Sequence, residues 1–224
     1  MAPEVNTMVS EITMNPTEKY ISDICRFLGF KEDDFTQKLK ELRDKGWIRW
    51  GGGTVEITVA EILYVITRLR DPNHVFEGGT SWGYSTAHIA QAIKDNGKVP
   101  DNILASVDID ADAHRNAETY LWEKDIELSL DLCDSVAWLS EGILHNIPNL
   151  DMVFIDTSHT YEHTVKEWAA MLPLLDEKSI ILFHDAYTEV YGVKKFLSEL
   201  PKEWKVLTLD TQSNTGLGIV VKNV

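Results

Sequence analysis

The sequence predicts an α/β fold of the Rossmann-like kind, a mostly parallel sheet with helices on both faces. Three observations predict it. From Pro72 onward, strand-like runs alternate with helix-like stretches, the pattern of parallel strands joined by helical crossovers. Short apolar runs such as MVFI at 152–155 and IILF at 180–183 suit strands buried on both faces. The stretch VFEGGTSWGYSTAHIA, from Val75 to Ala90, reads as a strand, a glycine-rich turn and a helix start.

Residues 1–15 read as a loose arm. A first short helix follows, with Ile21, Ile24, Cys25 and Leu28 at helical spacing and Gly29 as its stop. A second covers 32–45, with Phe35, Leu39 and Leu42 on one face and Gly46 at its end. WIRWGGGTVEIT, at 47–58, reads as a hairpin around a glycine run. Helix, helix and hairpin in this order resemble a winged-helix unit. Residues 58–69 form an amphipathic helix with Ile62, Val65, Ile66 and Leu69 on one face. A boundary is placed after residue 70. Residues 1–70 are expected to act as a lid or dimerisation segment, making a homodimer a possible assembly, and residues 71–224 form the α/β domain.

In that domain, strands are expected at 74–77, 103–108, 151–156, 179–184, 205–210 and 217–222. Helices are expected near 85–95, 111–122, 134–142, 160–171 and 191–199. Ser85 and Thr86 are candidate N-caps of the first of these. In the 160–171 helix, Val165, Trp168 and Leu172 are read as a core stripe, with Glu162 and His163 on the exposed side.

Composition narrows the function classes. The chain has 224 residues, 44% of them hydrophobic, enough for a sizeable core. Its formal net charge is -15, so its surface repels phosphate backbones and nucleic acid is an unfavourable partner. The candidate recognition helix, DDFTQKLKELRDK, mixes Lys38, Lys40, Arg43 and Lys45 with Asp33, Asp34, Glu41 and Asp44. Cys25 and Cys133 form no disulfide framework and no zinc pattern, and they suit a reducing cytoplasm. No apolar stretch approaches membrane-spanning length, and no secretory leader is expected in the first twenty residues.

The glycine turn and the strand ends carry the chemistry. The turn lacks both GxGxxG and GxxxxGK[ST], so neither a dinucleotide nor a nucleoside triphosphate fingerprint is present. It contains Glu77-x-Gly79-x-x-x-Gly83 instead. This resembles the (D/E)xGxxxG motif of class I S-adenosylmethionine-dependent methyltransferases. The ligand carries a sulfonium and an ammonium but no pyrophosphate, so an acid at the strand end is useful there. ASVDID ends the next strand at Asp108, where a carboxylate can accept both ribose hydroxyls of a nucleoside. Asp110 is the alternative, and either acid could instead cap the next helix. Cys133-Asp134-Ser135 stands where the family has Gly-Asp-(Ala/Ser) near the adenine; Asp134 either approaches the base or starts a helix.

DMVFIDTSHTYEHTVKEWAAMLPLLDEKSIILFHDA, from 151 to 186, is a strand, a helix and a strand. Asp156 ends the first strand, His159 follows three residues on, and His184-Asp185 ends the second. Strand ends of a parallel sheet converge on the ligand crevice. The block resembles the FIDGDHSYE…FHD signature of small-molecule O-methyltransferases, the sugar, macrolide and rhamnosyl enzymes and the cephalosporin hydroxylase-like group. The likeness covers roughly 71–222, including Gly192, Val193, Phe196 and the GLGIV at 216–220. It implies a seven-stranded sheet, S-adenosylmethionine bound at Glu77, Gly79, Gly83, Ser85, Asp108 and Asp134, and methyl transfer to a hydroxyl of a small molecule. It also implies Asp156 and Asp185 as ligands of Mg2+ or another divalent metal, with His159 as base beside Asp156. A histidine near neutral pKa suits proton removal from an alcohol, and a metal lowers the hydroxyl's own pKa. His184 departs from relatives that carry an acid there. It is either a metal ligand favouring manganese, iron or zinc, or a structural neighbour. Two other readings stand beside this one: transfer to nitrogen or to a macromolecule, and a non-catalytic S-adenosylmethionine- or DNA-binding regulator.

Overall fold

A computed structural model describes residues 16–47, 54–141, 149–211 and 215–223. The expected arm at 1–15 and residues 48–53 of the hairpin expected at 47–58 lie outside the described residues, and the end of that expected hairpin, Ile57 and Thr58, belongs to a helix instead. A 3-10 turn, Pro16–Tyr20, leads into α1 (Ile21–Leu28), which Gly29 closes in the left-handed region at φ 74°. α2 (Glu32–Arg43) buries Phe35, Leu39 and Leu42, the face its periodicity predicts.

α3 (Ile57–Arg70) corrects the amphipathic expectation. It is buried continuously from Thr58 to Thr67. It packs against α4, α2 and the Pro16–Tyr20 turn, and its apolar side chains join the core shared with the sheet. A polar residue within it is therefore paired: buried Glu61 accepts from Arg43 Nε at 2.7 Å, and Arg43 also grips Glu18.

The sheet has seven strands: β1 (Val75–Gly78), β2 (Leu104–Asp108), β3 (Leu130–Leu132), β4 (Met152–Ile155), β5 (Ile180–His184), β6 (Trp204–Leu209) and β7 (Leu217–Lys222). Their order is β3-β2-β1-β4-β5-β7-β6. β1 to β5 run parallel, and β7 lies antiparallel between β5 and β6. β3 is the strand that periodicity does not reveal. It is a short edge strand with exposed Asp131 and Leu132, so it lacks a buried alternation.

Helices α4 (Tyr84–Asp95), α5 (Ala111–Glu123), α6 (Ser135–Glu141), α7 (Tyr161–Met171) and α8 (Gly192–Ser198) cover both faces. Met152, Phe154, Ile180 and Leu182 face one core, shared with α1 to α5. Val153, Ile155, Ile181 and Phe183 face the other, with Leu139, Trp168 and Phe196. The alternation along β4 and β5 thus feeds two cores from one apolar run. On α7 the buried set is Thr164, Glu167, Trp168 and Met171, whereas Val165 and Leu172 are exposed. The expected stripe was rotated in phase, because Thr164 and Glu167 read as surface residues. Among the described residues, no helix is long and apolar enough to cross a membrane.

Candidate active site

The carboxyl ends of β1, β2, β4 and β5 meet along one edge. Asp156 N donates to Gly78 O at 2.8 Å, and Gly79 N to Val107 O at 2.9 Å. Gly79 has φ 95°, and a Cβ there would lie 2.1 Å from Asp156 O. Only glycine lets these two strand ends approach so closely. Gly83, at φ 79°, is the N-cap of α4; Ser85 and Thr86 lie inside the helix and do not cap it.

A cavity of about 380 Å³ opens at this edge. Gly79, Asp108 and Asp134 line it, with Asp156 and His159 also on its wall. Asp108 is fixed by two backbone amides: Ser81 N donates to Oδ2 at 2.7 Å and Asp110 N to Oδ1 at 2.8 Å. Asp110 caps α5 by accepting from Asp112 N and Ala113 N. Asp134 accepts from Ala137 N at 3.0 Å, so it starts α6 while lining the cavity. Glu77 lies behind the turn, fully buried, with Ser106 Oγ donating to Oε2 at 2.6 Å. Burial pushes its carboxyl up to about 7, opposed by hydroxyls of Ser106, Ser85 and Thr86. Ser85 and Trp82 border a smaller recess with Thr54, Val55 and Asp156. His88, read as structural, is buried between Trp47 and Tyr84, and burial lowers its pKa to about 4.

The four chemically suggestive residues of the 151–186 block do converge. One ligand atom from each of Asp156, His159, His184 and Asp185 lies within 4.8 Å of all the others. Asp156 Oδ1 is 2.8 Å from His159 Nε2 and 3.0 Å from His184 Nδ1. His159 Nδ1 lies 3.0 Å from Asp185 Oδ2. His159 and Asp185 both hold φ near +57°, at 58° and 56°, a costly conformation for residues other than glycine. The surrounding structure enforces it: Gly192 N donates to His159 O at 2.8 Å, and a Cβ on Gly192 would meet Tyr161 N at 1.9 Å. Thr160, not Asp156, caps α7, which leaves the Asp156 carboxylate to the cluster.

The electrostatics are those of carboxylates sharing two imidazoles. Burial alone would lower the His159 pKa, but Asp156 and Asp185 override it and raise it to about 9. His184 is held well above its usual value against burial by Asp156, Asp185 and Glu56. Asp156 and Asp185 are held below the usual carboxylate range by the two histidines, again against burial. Asp185 Oδ1 is buried with no hydrogen-bond partner among the described residues. Such an atom fits a cation ligand better than a finished hydrogen-bond network.

Two features went unseen in the sequence. Glu56, just before α3, accepts from His184 Nε2 at 2.7 Å. It stands 128 residues away in the chain, and no local pattern announces it. Glu167 is fully buried on α7, taking hydrogen bonds from Ser135 Oγ at 2.6 Å and Thr157 Oγ1 at 2.9 Å. His163 Nε2 lies 3.3 Å from it, so His163 lines the cavity and does not point to solvent as expected.

With β7 reversed between β5 and β6, and the glycine turn at the end of β1, the fold is that of the class I methyltransferases. The family model described as "Methyltransferase domain" matches residues 76–186, the stretch that runs from β1 through β5. Solved structures share the whole fold. The O-methyltransferase TomG from Streptomyces achromogenes, involved in tomaymycin synthesis and crystallised with S-adenosylmethionine, is 18% identical. That alignment covers 94% of this chain and 100% of TomG, with a TM-score of 0.66. An O-methyltransferase from Bacillus cereus in complex with S-adenosylhomocysteine is 16% identical, covering 92% and 100%, with a TM-score of 0.64. A Podospora anserina methyltransferase bound to S-adenosylhomocysteine is 14% identical, covering 100% and 99%, with a TM-score of 0.59. No curated protein matches the chain in sequence.

Proposed function

We propose that the protein is an S-adenosylmethionine-dependent O-methyltransferase acting on a small-molecule hydroxyl with the help of a divalent cation. One observation carries this reading: the cavity bounded by Gly79, Asp108 and Asp134 adjoins the Asp156–His159–His184–Asp185 cluster. Asp108 would hold the cofactor's ribose hydroxyls, Asp134 would stand near its adenine, and the glycine turn at Gly79 and Gly83 would take its methionine end. Glu77 and Ser85 support that turn from behind. Asp156 and His159, on the same wall of the cavity, would then stand at the sulfonium end. With Asp156 and Asp185 turned to a cation, His159 would lose the charges that keep it protonated and would be free to take the acceptor's proton, while the acceptor oxygen bonds to the methyl carbon and the carbon–sulfur bond breaks to leave S-adenosylhomocysteine.

Asp156, Asp185 and His184 would hold the cation, for which the unpartnered Asp185 Oδ1 is direct support. When bound, such an ion lowers the pKa of the acceptor hydroxyl. A net charge of -15 favours a small acceptor over nucleic acid, and free cysteines fit a reducing cytoplasm. Residues 1–70 are read as a segment that offers a homodimer surface.

The test is calorimetric titration with S-adenosylmethionine. Wild-type protein should bind, and Asp108→Ala should bind at least about tenfold more weakly, since a charged hydrogen bond is worth about 1.5–3 kcal/mol. No binding by the wild type would sink the reading; equal binding by Asp108→Ala would remove only the ribose assignment.

A further inference from the structure

His184 is held at both ends of its ring. Nδ1 faces Asp156 Oδ1 at 3.0 Å and Asp185 Oδ2 at 3.5 Å. Nε2 meets Glu56 Oε2 at 2.7 Å. Both partners of that last contact are buried, at 8% and 7% exposure. Glu56 is itself fixed, because Thr211 Oγ1 donates to its other oxygen at 3.1 Å and Thr215 Oγ1 donates to the same atom. Glu56 comes from outside the matched span of 76–186.

We propose that Glu56 is a positioning residue of the metal centre. It keeps the proton on His184 Nε2 and so presents the Nδ1 lone pair, with Asp156 and Asp185, to a divalent cation. A histidine ligand whose second nitrogen donates to a carboxylate is fixed in tautomer and orientation and made more basic. The separations suit the role. Neighbouring ligand atoms around an octahedral ion at about 2.1 Å are roughly 3 Å apart, as Nδ1 and the Asp156 oxygen are. A nitrogen among the ligands also sets the selectivity. Magnesium demands hard oxygen donors, whereas manganese and later divalent metals accept imidazole. The centre therefore binds Mn2+ more tightly than Mg2+. This rests on the metal reading given above, but it assigns Glu56 a role which that reading does not contain.

The experiment is titration of metal-stripped full-length protein with MnCl2 and with MgCl2, for wild type, Glu56→Gln, Glu56→Ala and His184→Asp. S-adenosylmethionine affinity is measured on each variant as a check on the fold. The wild type should prefer Mn2+. Glu56→Ala should lose about 10–100-fold in Mn2+ affinity, and the near-isosteric Glu56→Gln should lose less, while cofactor affinity stays within about twofold of wild type. His184→Asp, an all-oxygen site, should shift the preference toward Mg2+. Wild-type binding unaffected by either Glu56 variant would overturn the assignment alone. Parallel loss of metal and cofactor would show Glu56 to be merely structural and would overturn it too. A wild type that prefers Mg2+ would reject His184 as a ligand. A wild type that binds neither metal would remove the metal reading together with this one, while leaving cofactor binding intact.

Discussion

His159 lies between two carboxylates, and its behaviour follows from that position. In the cation-free protein its pKa is raised to about 9, from about 6.5 for a free histidine. The folded state thus binds this proton more tightly than the unfolded chain does. The resulting stabilisation is fully present below pH 6.5 and is lost as pH rises through about 9. Asp185→Asn removes one of the two charges, so the His159 titration should fall toward 6.5 and the alkaline loss of stability should flatten. Ring-proton NMR titration of both proteins, stripped of divalent ions, checks this; an unchanged midpoint in the variant would contradict it. The same residues show what the sequence could reveal. Asp156, His159, His184 and Asp185 follow the ends of β4 and β5, and strand ends of a parallel sheet must converge. Their gathering is therefore legible in the sequence. Glu56 was not, because its contact with His184 depends on how the start of α3 packs across the sheet edge.

At the scale of elements, legibility follows the burial pattern. β4 and β5 are buried on both faces, and their apolar runs read clearly as strands. β3 at the sheet's edge is a three-residue Leu-Asp-Leu strand with Asp131 and Leu132 exposed, too short to show a period, and does not read as a strand. α7 was recognised as a helix but turned to the wrong face. Periodicity assumes that polar means exposed, whereas Glu167 is buried, with one carboxylate oxygen taking the Ser135 and Thr157 hydroxyls. Both orientations bury Trp168, and they part at Val165. Trp168 packs against Phe196 and Trp204, so Trp168→Ala should cost about 3–5 kcal/mol. Val165→Ser, on the exposed side, should stay within about 0.5 kcal/mol of wild type. Urea unfolding of the two variants decides it; a Val165→Ser loss comparable to that of Trp168→Ala would restore the stripe read from periodicity.

For the whole molecule, the change of pattern at Pro72 separates helices from alternating strands and helices, yet the hydrophobic core continues across it. Val59, Ile62, Leu63 and Ile66 of α3 are completely buried and share one core with Phe154, Leu182 and Ile219 of the sheet. Burying each such side chain is worth about 1.5–3 kcal/mol, so these four alone contribute about 6–12 kcal/mol. That is as large as the entire net stability of a typical domain, about 5–15 kcal/mol. A chain beginning at residue 71 would leave one face of β4, β5 and β7 open to water, and would also lose Glu56 from the site. It should therefore lack a cooperative thermal transition and bind hydrophobic dyes, even though it retains the whole matched span of 76–186. Near-ultraviolet circular dichroism and calorimetric melting of the truncated and full chains provide the comparison. A sharp transition and native-like spectrum for the truncated chain would mean that α1 to α3 rest on a fold complete without them. The expected outcome is that these helices are as much a part of the methyltransferase domain's core as the strands that carry its chemistry.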